Sequence, residues 1–328
     1  MKNNFNLFGI LVLVIIISFS VVSCSDSGGG GDTESNEVKS IQNWKEAINP
    51  FYTSSGIRGI AWGNETFVVG KLYGEIAYSP NGKQWTQVSG NPCDSVLAIA
   101  YGNNTFVIGG NSSKIAYSTS NGIFWNNLVL GYSLFNGWYI DPIIWCNNRF
   151  VATGADYKIA YSTNVTSWTS ATSTHNFDIL AFAYGNNSLI AGGVGGKMIY
   201  STNEGSTWNN ISDSKFGSNN IYAIAYGNGT FVAGGEYGVI TYSTDNGNNW
   251  TRVTDSTFGS ANIRVVVYGH GIFVAGGSTY VAYSYDGITW QPVTKKVFSG
   301  NTEIWCGSYG NGTFVLCNYY DIAYCELD

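Results

Sequence analysis

Histidine and positive charge are scarce in this chain. The 328 residues include two His, 15 Lys and Arg together, and 21 acids, for a net charge of −6. That balance argues against a nucleic-acid partner. His175 and His270 share no ligand spacing with a Cys or an acid, so no metal site is read from them. No Gly-Lys-Ser/Thr phosphate loop occurs, because the Gly pairs here end short apolar runs. No cofactor is implied. Only four residues are Arg: Arg58, Arg149, Arg252 and Arg264.

The chain is rich in Gly, Tyr and Trp, and these recur with a fixed period. The stretch from Gly227 to Trp250 returns, with changes, along nearly the whole sequence. Tyr-Ser pairs begin at Tyr78, Tyr117, Tyr161, Tyr200, Tyr242 and Tyr283, and a seventh Tyr stands at Tyr324. Trp follows at 85, 125, 168, 208, 250 and 290, at intervals of 40, 43, 40, 42 and 40. A period of that size marks an array of one supersecondary unit. Within one unit, Ile221 to Tyr226 alternates and ends at the turn Gly227-Asn228-Gly229. Phe231–Gly235, Val239–Ser243 and Trp250–Thr254 then read as three further short strands. Four antiparallel strands in about 40 residues is the size of a propeller blade. Small Ala61, Ala100, Ala183 and Ala225 beside large Ile60, Ile99, Phe182 and Ile224 make both faces of the first strand apolar. Blades must therefore stack on one another around a ring.

The two ends of the array are complementary. The last repeat, Glu303 to Cys325, has three strands and stops before any Trp, while Asn43-Trp44-Lys45 resembles the fourth strand at Asn249-Trp250-Thr251. The N-terminal strand within 41–48 is expected to complete the last blade and remove both sheet edges. The expected fold is all-β, a seven-bladed β-propeller over residues 41–328 with four antiparallel strands per blade, the last closed by the N-terminal strand.

Residues 1–23 have a basic start and an apolar run, and Val21-Val22-Ser23-Cys24 resembles the lipobox of bacterial lipoproteins. The resemblance implies a signal peptide cut before Cys24, with lipid on its thiol. Residues 24–40 are Gly, Ser and acids without apolar periodicity and read as a flexible tether. The expectation is an exported monomer, lipid-anchored in a bacterial cell envelope, periplasmic or surface-exposed. Five further Cys remain; Cys306 and Cys317 fall opposite each other on adjacent strands, as a disulfide or as two buried thiols.

The turns between third and fourth strands carry a second resemblance. Ser243-Thr244-Asp245-Asn246-Gly247-Asn248-Asn249-Trp250 fits Ser-x-Asp-x-Gly-x-x-Trp in full. Asn203 takes the Asp place in the fourth repeat; Asn81 and Asp286 stand in shorter versions; Ser120 replaces the acid in the second; the third, Ser162 to Trp168, lacks the Gly. The chain resembles the Asp-box (BNR-repeat, sialidase-like) propellers over roughly 41–328. In such turns the Asp or Asn binds the turn's own N–H groups, a structural task. Sialidases of this kind use three Arg, a Tyr–Glu nucleophile pair, an Asp acid/base and an Arg-Ile-Pro motif. Here Arg58 sits in Ile-Arg-Gly, Arg252 lies on an outermost strand and Arg149 in a first-to-second-strand turn. The chain is therefore read as non-enzymatic, with a sialidase-like glycoside hydrolase as one alternative and an assembly factor docking an envelope protein as another.

Binding is expected on the face opposite the Asp-box turns, where loops vary. That face collects Tyr132, Phe135, Trp138 and Tyr139 in the longest loop, and Tyr73, Tyr157, Tyr237, Tyr280, Tyr319 and Tyr320 in short turns. Such aromatics suit a glycan or a protein. Counting four residues back from the aromatic that ends each inner strand gives Arg58, Leu97, Asp141, Leu180, Tyr222, Arg264 and Trp305. These should ring the channel mouth, with Arg264, Trp305 and Arg58 as one arc suited to a carboxylate and with Asp141 and Tyr222 on the far side. The competing reading pairs the two Arg with Glu303 and Glu236.

Overall fold

A computed structural model describes residues 17–18, 41–51, 55–254, 257–278, 280–300 and 302–327. Cys24 and the tether lie outside the described residues. Within them the chain forms seven blades of four antiparallel strands each. The innermost strands are Ile57–Gly63, Ala98–Gly102, Ile140–Cys146, Ile179–Gly185, Ile221–Gly227, Val265–Gly269 and Ile304–Gly310, numbered here as blades 1 to 7. A two-residue bridge, Ile17–Ser18, pairs with Tyr101 and Ala100 on the free edge of blade 2.

Blade 5 shows how sequence makes the unit. Its inner strand turns through Asn228 (φ 47°) and Gly229 (φ 77°), the left-handed pair that a two-residue hairpin requires. His270 (φ 49°) and Gly271 (φ 76°) repeat the conformation in blade 6. The second and third strands are Thr230–Gly235 and Ile240–Ser243, and the fourth is only Thr251–Arg252, shorter than the pattern suggested. Trp250 precedes it because its indole is turned beneath the Ser-x-Asp turn, donating Nε1–H to the Gly247 carbonyl at 3.0 Å. The Ser243 hydroxyl accepts from the Gly247 N–H at 3.0 Å, and the Asp245 carboxylate accepts from the Asn249 N–H at 2.9 Å. Burial alone would raise the Asp245 carboxyl; hydrogen bonds from Asn249 and Ser243 hold it below its ordinary range. Asn203, Asn81 and Asp286 accept the same backbone bonds. In blade 3, where the Gly is missing, Val165 takes the left-handed place at φ 68°.

Blades are joined by aromatic rings pressed flat on glycines. The ring of Tyr268 covers Gly227, where an added Cβ would lie 2.1 Å from it; Trp62 covers Gly310 at the same 2.1 Å. Gly63, Gly102, Gly185 and Gly269 meet Tyr101, Trp145, Tyr226 and Tyr309 likewise. Cys146 stands in the glycine place at the junction of blades 3 and 4. Because the Gly310–Trp62 contact joins blade 7 to blade 1, the ring is closed.

The N-terminal strand closes the last sheet, as its sequence suggested. Lys45 pairs with Tyr324 and Glu46 with Ala323. Ile41 and Trp44 are buried in one apolar cluster with Val265, Val274, Phe314 and Leu316, residues of blades 6 and 7. The Gln42 side chain also reaches blade 6, accepting from the Thr294 N–H at 2.7 Å and donating to the Pro292 carbonyl at 3.1 Å. The segment is thus a latch across two blades.

The longest blade-to-blade loop contains a single helical turn, Tyr132–Phe135. Phe135 is core, fully buried against blade 3, whereas Trp138 is 61% exposed. Cys306 and Cys317 do face each other in register, and both are buried free thiols. Burial holds the Cys317 thiol well above its usual range, and hydrogen bonding to Cys306 adds to this. Among the described residues no helix is long and apolar enough to cross a membrane.

Candidate functional site: the mouth of the central channel

In five of the seven inner strands the second residue is the counted one: Arg58, Asp141, Leu180, Tyr222 and Trp305. Five of the seven blades carry a register irregularity at that residue, next to Arg58, Asp141, Leu180, Tyr222 and Trp305. A bulge re-aims the side chain it carries, and these five are less buried than their strand neighbours. Leu97 and Arg264 occupy the same place just before the shorter strands of blades 2 and 6, their N–H groups bonded to Gly109 and Gly276. All seven are partly exposed, while the residues that flank them in the strands are buried. The seven residues reached by counting thus occupy equivalent places at the start of the inner strands and share partial exposure.

Four of its members stack in sequence across consecutive blades. The Arg264 guanidinium lies 4.0 Å from the ring centre of Tyr222 and 4.7 Å from that of Trp305; the Arg58 guanidinium lies 4.2 Å from the Trp305 ring centre. Tyr222 thus belongs to the arc with Arg264, Trp305 and Arg58. This corrects its expected place on the far side, because blade 5 directly precedes blade 6 in the ring. Cations over aromatic faces gain from the ring quadrupole and stay pre-oriented.

The two Arg differ in their partners. Arg264 donates Nε–H to Glu303 at 2.9 Å, half of the competing ion-pair reading. Glu236 is instead held by the Tyr222 hydroxyl at 2.7 Å and by the Asn220 N–H at 2.9 Å. Those bonds hold the Glu236 carboxyl below its ordinary range, with Arg264 adding to them. Arg58 has no ion pair among the described residues, and its buried Nε has no hydrogen-bond partner. The Asp141 carboxyl is pushed up to about 7 by burial, against the pull of Arg58. Asp141 is therefore close enough to Arg58 to feel its charge, which the expected far-side placement did not foresee. An uncompensated guanidinium beside an indole can take a carboxylate in a bidentate bond.

The surrounding face carries exposed aromatics at second-to-third turns: Tyr73, Tyr157, Tyr280 and Tyr320, with Tyr237 at 65% exposure. Tyr237 adopts φ 54°, a left-handed backbone that blade 4 gives to Gly195 at φ 69°. A Tyr there is strained without gaining burial, a pattern found at binding surfaces. Tyr320 packs edge-on against Tyr319, and Tyr319 covers Gly56 beside Arg58. Trp138, on the helical loop, stands at the blade 2–3 edge, its carbonyl bonded to the Ser113 N–H. Sequence counting overlooked Asn220, which bonds Glu236, and the grouping of Asp156 and Asp178 with Tyr139. Neither lies at a fixed offset in the repeat.

The other two Arg lie elsewhere. Arg149 pairs with Glu204 at 3.1 Å on the Asp-box side, and Arg252 is on an exposed outer strand. Three converging Arg are not formed. No group of three or more His, Cys, Asp and Glu suited to a metal occurs among the described residues.

The chain belongs to the DUF6242 beta propeller domain family, whose model matches residues 94–298. No curated protein matches it in sequence. Among solved structures it is similar to YCF48 from Cyanidioschyzon merolae, with TM-score 0.68, 15% identity, and 87% of this chain and 98% of that one covered. YCF48 bound to a D1 peptide gives TM-score 0.70 at 14% identity over 87% and 97%. Inactive virginiamycin B lyase from Staphylococcus aureus with quinupristin gives 0.73 at 12% over 87% and 99%. At these identities the likeness is one of fold.

Proposed function

We propose that this DUF6242-family propeller is a non-catalytic binding protein, tethered to a membrane through Cys24, that takes a carboxylate-bearing segment of another envelope protein at its channel mouth. The carrying observation is the Tyr222–Arg264–Trp305–Arg58 stack, in which Arg58 is pre-oriented but lacks an anion. A charged group kept half-buried without a partner costs free energy that a ligand recovers on binding. A propeller of this shape, YCF48, holds a peptide, and the exposed Tyr crown offers the wide aromatic rim that protein segments use. The Ser-x-Asp turns have the hydrogen-bond pattern of Asp boxes, which supports the Asp-box reading of the propeller. The crown also suits an acidic glycan, and the same Arg58 would meet its carboxylate.

The test is a screen of peptide and glycan arrays with the full chain and its Arg58→Ala variant. A hydrogen bond to a charged group is worth about 1.5–3 kcal/mol, so loss of Arg58 should weaken capture at least ~10-fold. Melting should move little, since Arg58 makes no ion pair among the described residues. Unchanged capture by the variant would remove the mouth from the binding surface. Cleavage of arrayed glycans would restore the hydrolase alternative.

A further inference from the structure

The channel mouth holds charges of both signs, and it keeps them apart. Arg58, on blade 1, has no ion pair, and no hydrogen bond reaches the Asp141 carboxylate on blade 3 among the described residues. Each feels the other, since Arg58 opposes the burial that raises Asp141, yet they do not touch. Leu97, on blade 2, stands between them in the ring, and Leu180, on blade 4, follows Asp141.

The surroundings sharpen the separation. Beside Asp141, the Tyr139 hydroxyl is pushed up by burial and then by Asp178, Asp141 and Asp156, so the blade 3–4 side of the mouth is acidic. The charged group that acts on the Asp141 carboxyl itself is Arg58, whereas Asp156 and Asp178 act with it on Tyr139. On the other side, Arg264 is neutralised by Glu303, which leaves Arg58 as the uncompensated cation of the stack. A lone anion on Arg58 would be opposed by the acids, and a lone cation on Asp141 by Arg58. A ligand with both charges satisfies both walls. In an extended chain successive side chains point to opposite sides, so neighbouring acidic and basic residues present both at once.

We infer that the segment taken at this mouth carries an acidic residue next to a basic one, its carboxylate pairing with Arg58 and its ammonium with Asp141. This rests on the protein-segment reading above and adds the class of sequence bound. Because Asp141 is held partly protonated near neutrality, an arriving ammonium expels its proton.

The test is calorimetry on the full chain at pH 7 with four blocked hexapeptides, carrying Glu-Lys, Lys-Glu, Glu-Gln or Gln-Lys at the centre of a Gly background. One of the two doubly charged peptides should bind at least ~10-fold more tightly than either singly charged one. Its heat should change between buffers of different ionisation enthalpy in the direction of proton release. Asp141→Asn should remove both the preference and the proton release, while keeping the affinity for Glu-Gln. If Glu-Gln binds the native chain as tightly as the doubly charged peptides, and Arg58→Ala abolishes both, the carboxylate site stands and the paired-charge inference falls. If Glu-Gln binds equally to native chain and Arg58→Ala, or no peptide binds, both are overturned.

Discussion

Removing the indole of Trp44 tests ring closure with the fewest other changes. Trp44 and Ile41 sit in the cluster shared by blades 6 and 7, and the indole Nε1 makes no hydrogen bond, so Trp44→Ala deletes packing alone. Large-to-small changes at such sites cost about 3–5 kcal/mol for Trp and about 2–5 for Ile. For a body of this size each kcal/mol moves the melting temperature by roughly 2 °C, so Trp44→Ala should lower it by about 6–10 °C. Deleting 41–48 removes both side chains, the pairing with Tyr324 and Ala323, and the Gln42 bonds to blade 6. The loss, on the order of 5–10 kcal/mol, approaches the whole stability of a domain. That truncation should open the ring and expose blade 7 to protease, whereas deleting 25–38 should leave melting unchanged. Scanning calorimetry with limited proteolysis reads both effects. Equal melting of the two truncations, or a Trp44→Ala shift below about 1 °C, would refute the latch.

Gly227→Ala should destabilise by about 1–3 kcal/mol through overpacking, because the new methyl would sit 2.1 Å from the Tyr268 ring; Cys146→Ala, at the one junction already built around a side chain, should cost less, as urea titration will show. Asp141 has a folded-state pKa near 7 against 3.8 unfolded, so the folded state holds the extra proton and stability falls as pH rises from about 4 to 7. Asp141→Asn should flatten that slope and stabilise at pH 8 by about 2–4 kcal/mol; an unchanged pH profile of melting would show that the carboxyl is not strained. Cys24→Ser should leave an uncleaved precursor that no longer takes up labelled fatty acid, and normal acylation would end the lipoprotein reading.

The repeat was legible because its signals are local. Asn-Gly turns need left-handed backbone, the strands alternate, and Trp returns at a near-constant interval, each readable within a few residues. Even the latch could be found, since Trp44 repeats a motif whose absence at the other end is visible. The equivalence of the seven residues followed from one fixed offset, four positions before the aromatic that ends each inner strand. Asp156 and Asp178, which with Asp141 act on Tyr139, stand at no fixed offset in the repeat, which is why their grouping was not foreseen.

Partnership was decided only in three dimensions. The sequence by itself determined seven blades, the closing strand, and which seven residues take the equivalent place at the start of the inner strands. It could not determine which of two equivalent arginines is neutralised: Glu303 precedes blade 7's inner strand, within reach of Arg264 one blade back and not of Arg58 one blade on. Nor could it place Tyr222 on Arg264 or bring Asp141 under the influence of Arg58. Those relations join residues 42 and 83 positions apart. They arise only when the ring closes and its radius sets distances across the channel, a quantity fixed by how flat each aromatic lies on the glycine of the blade before it.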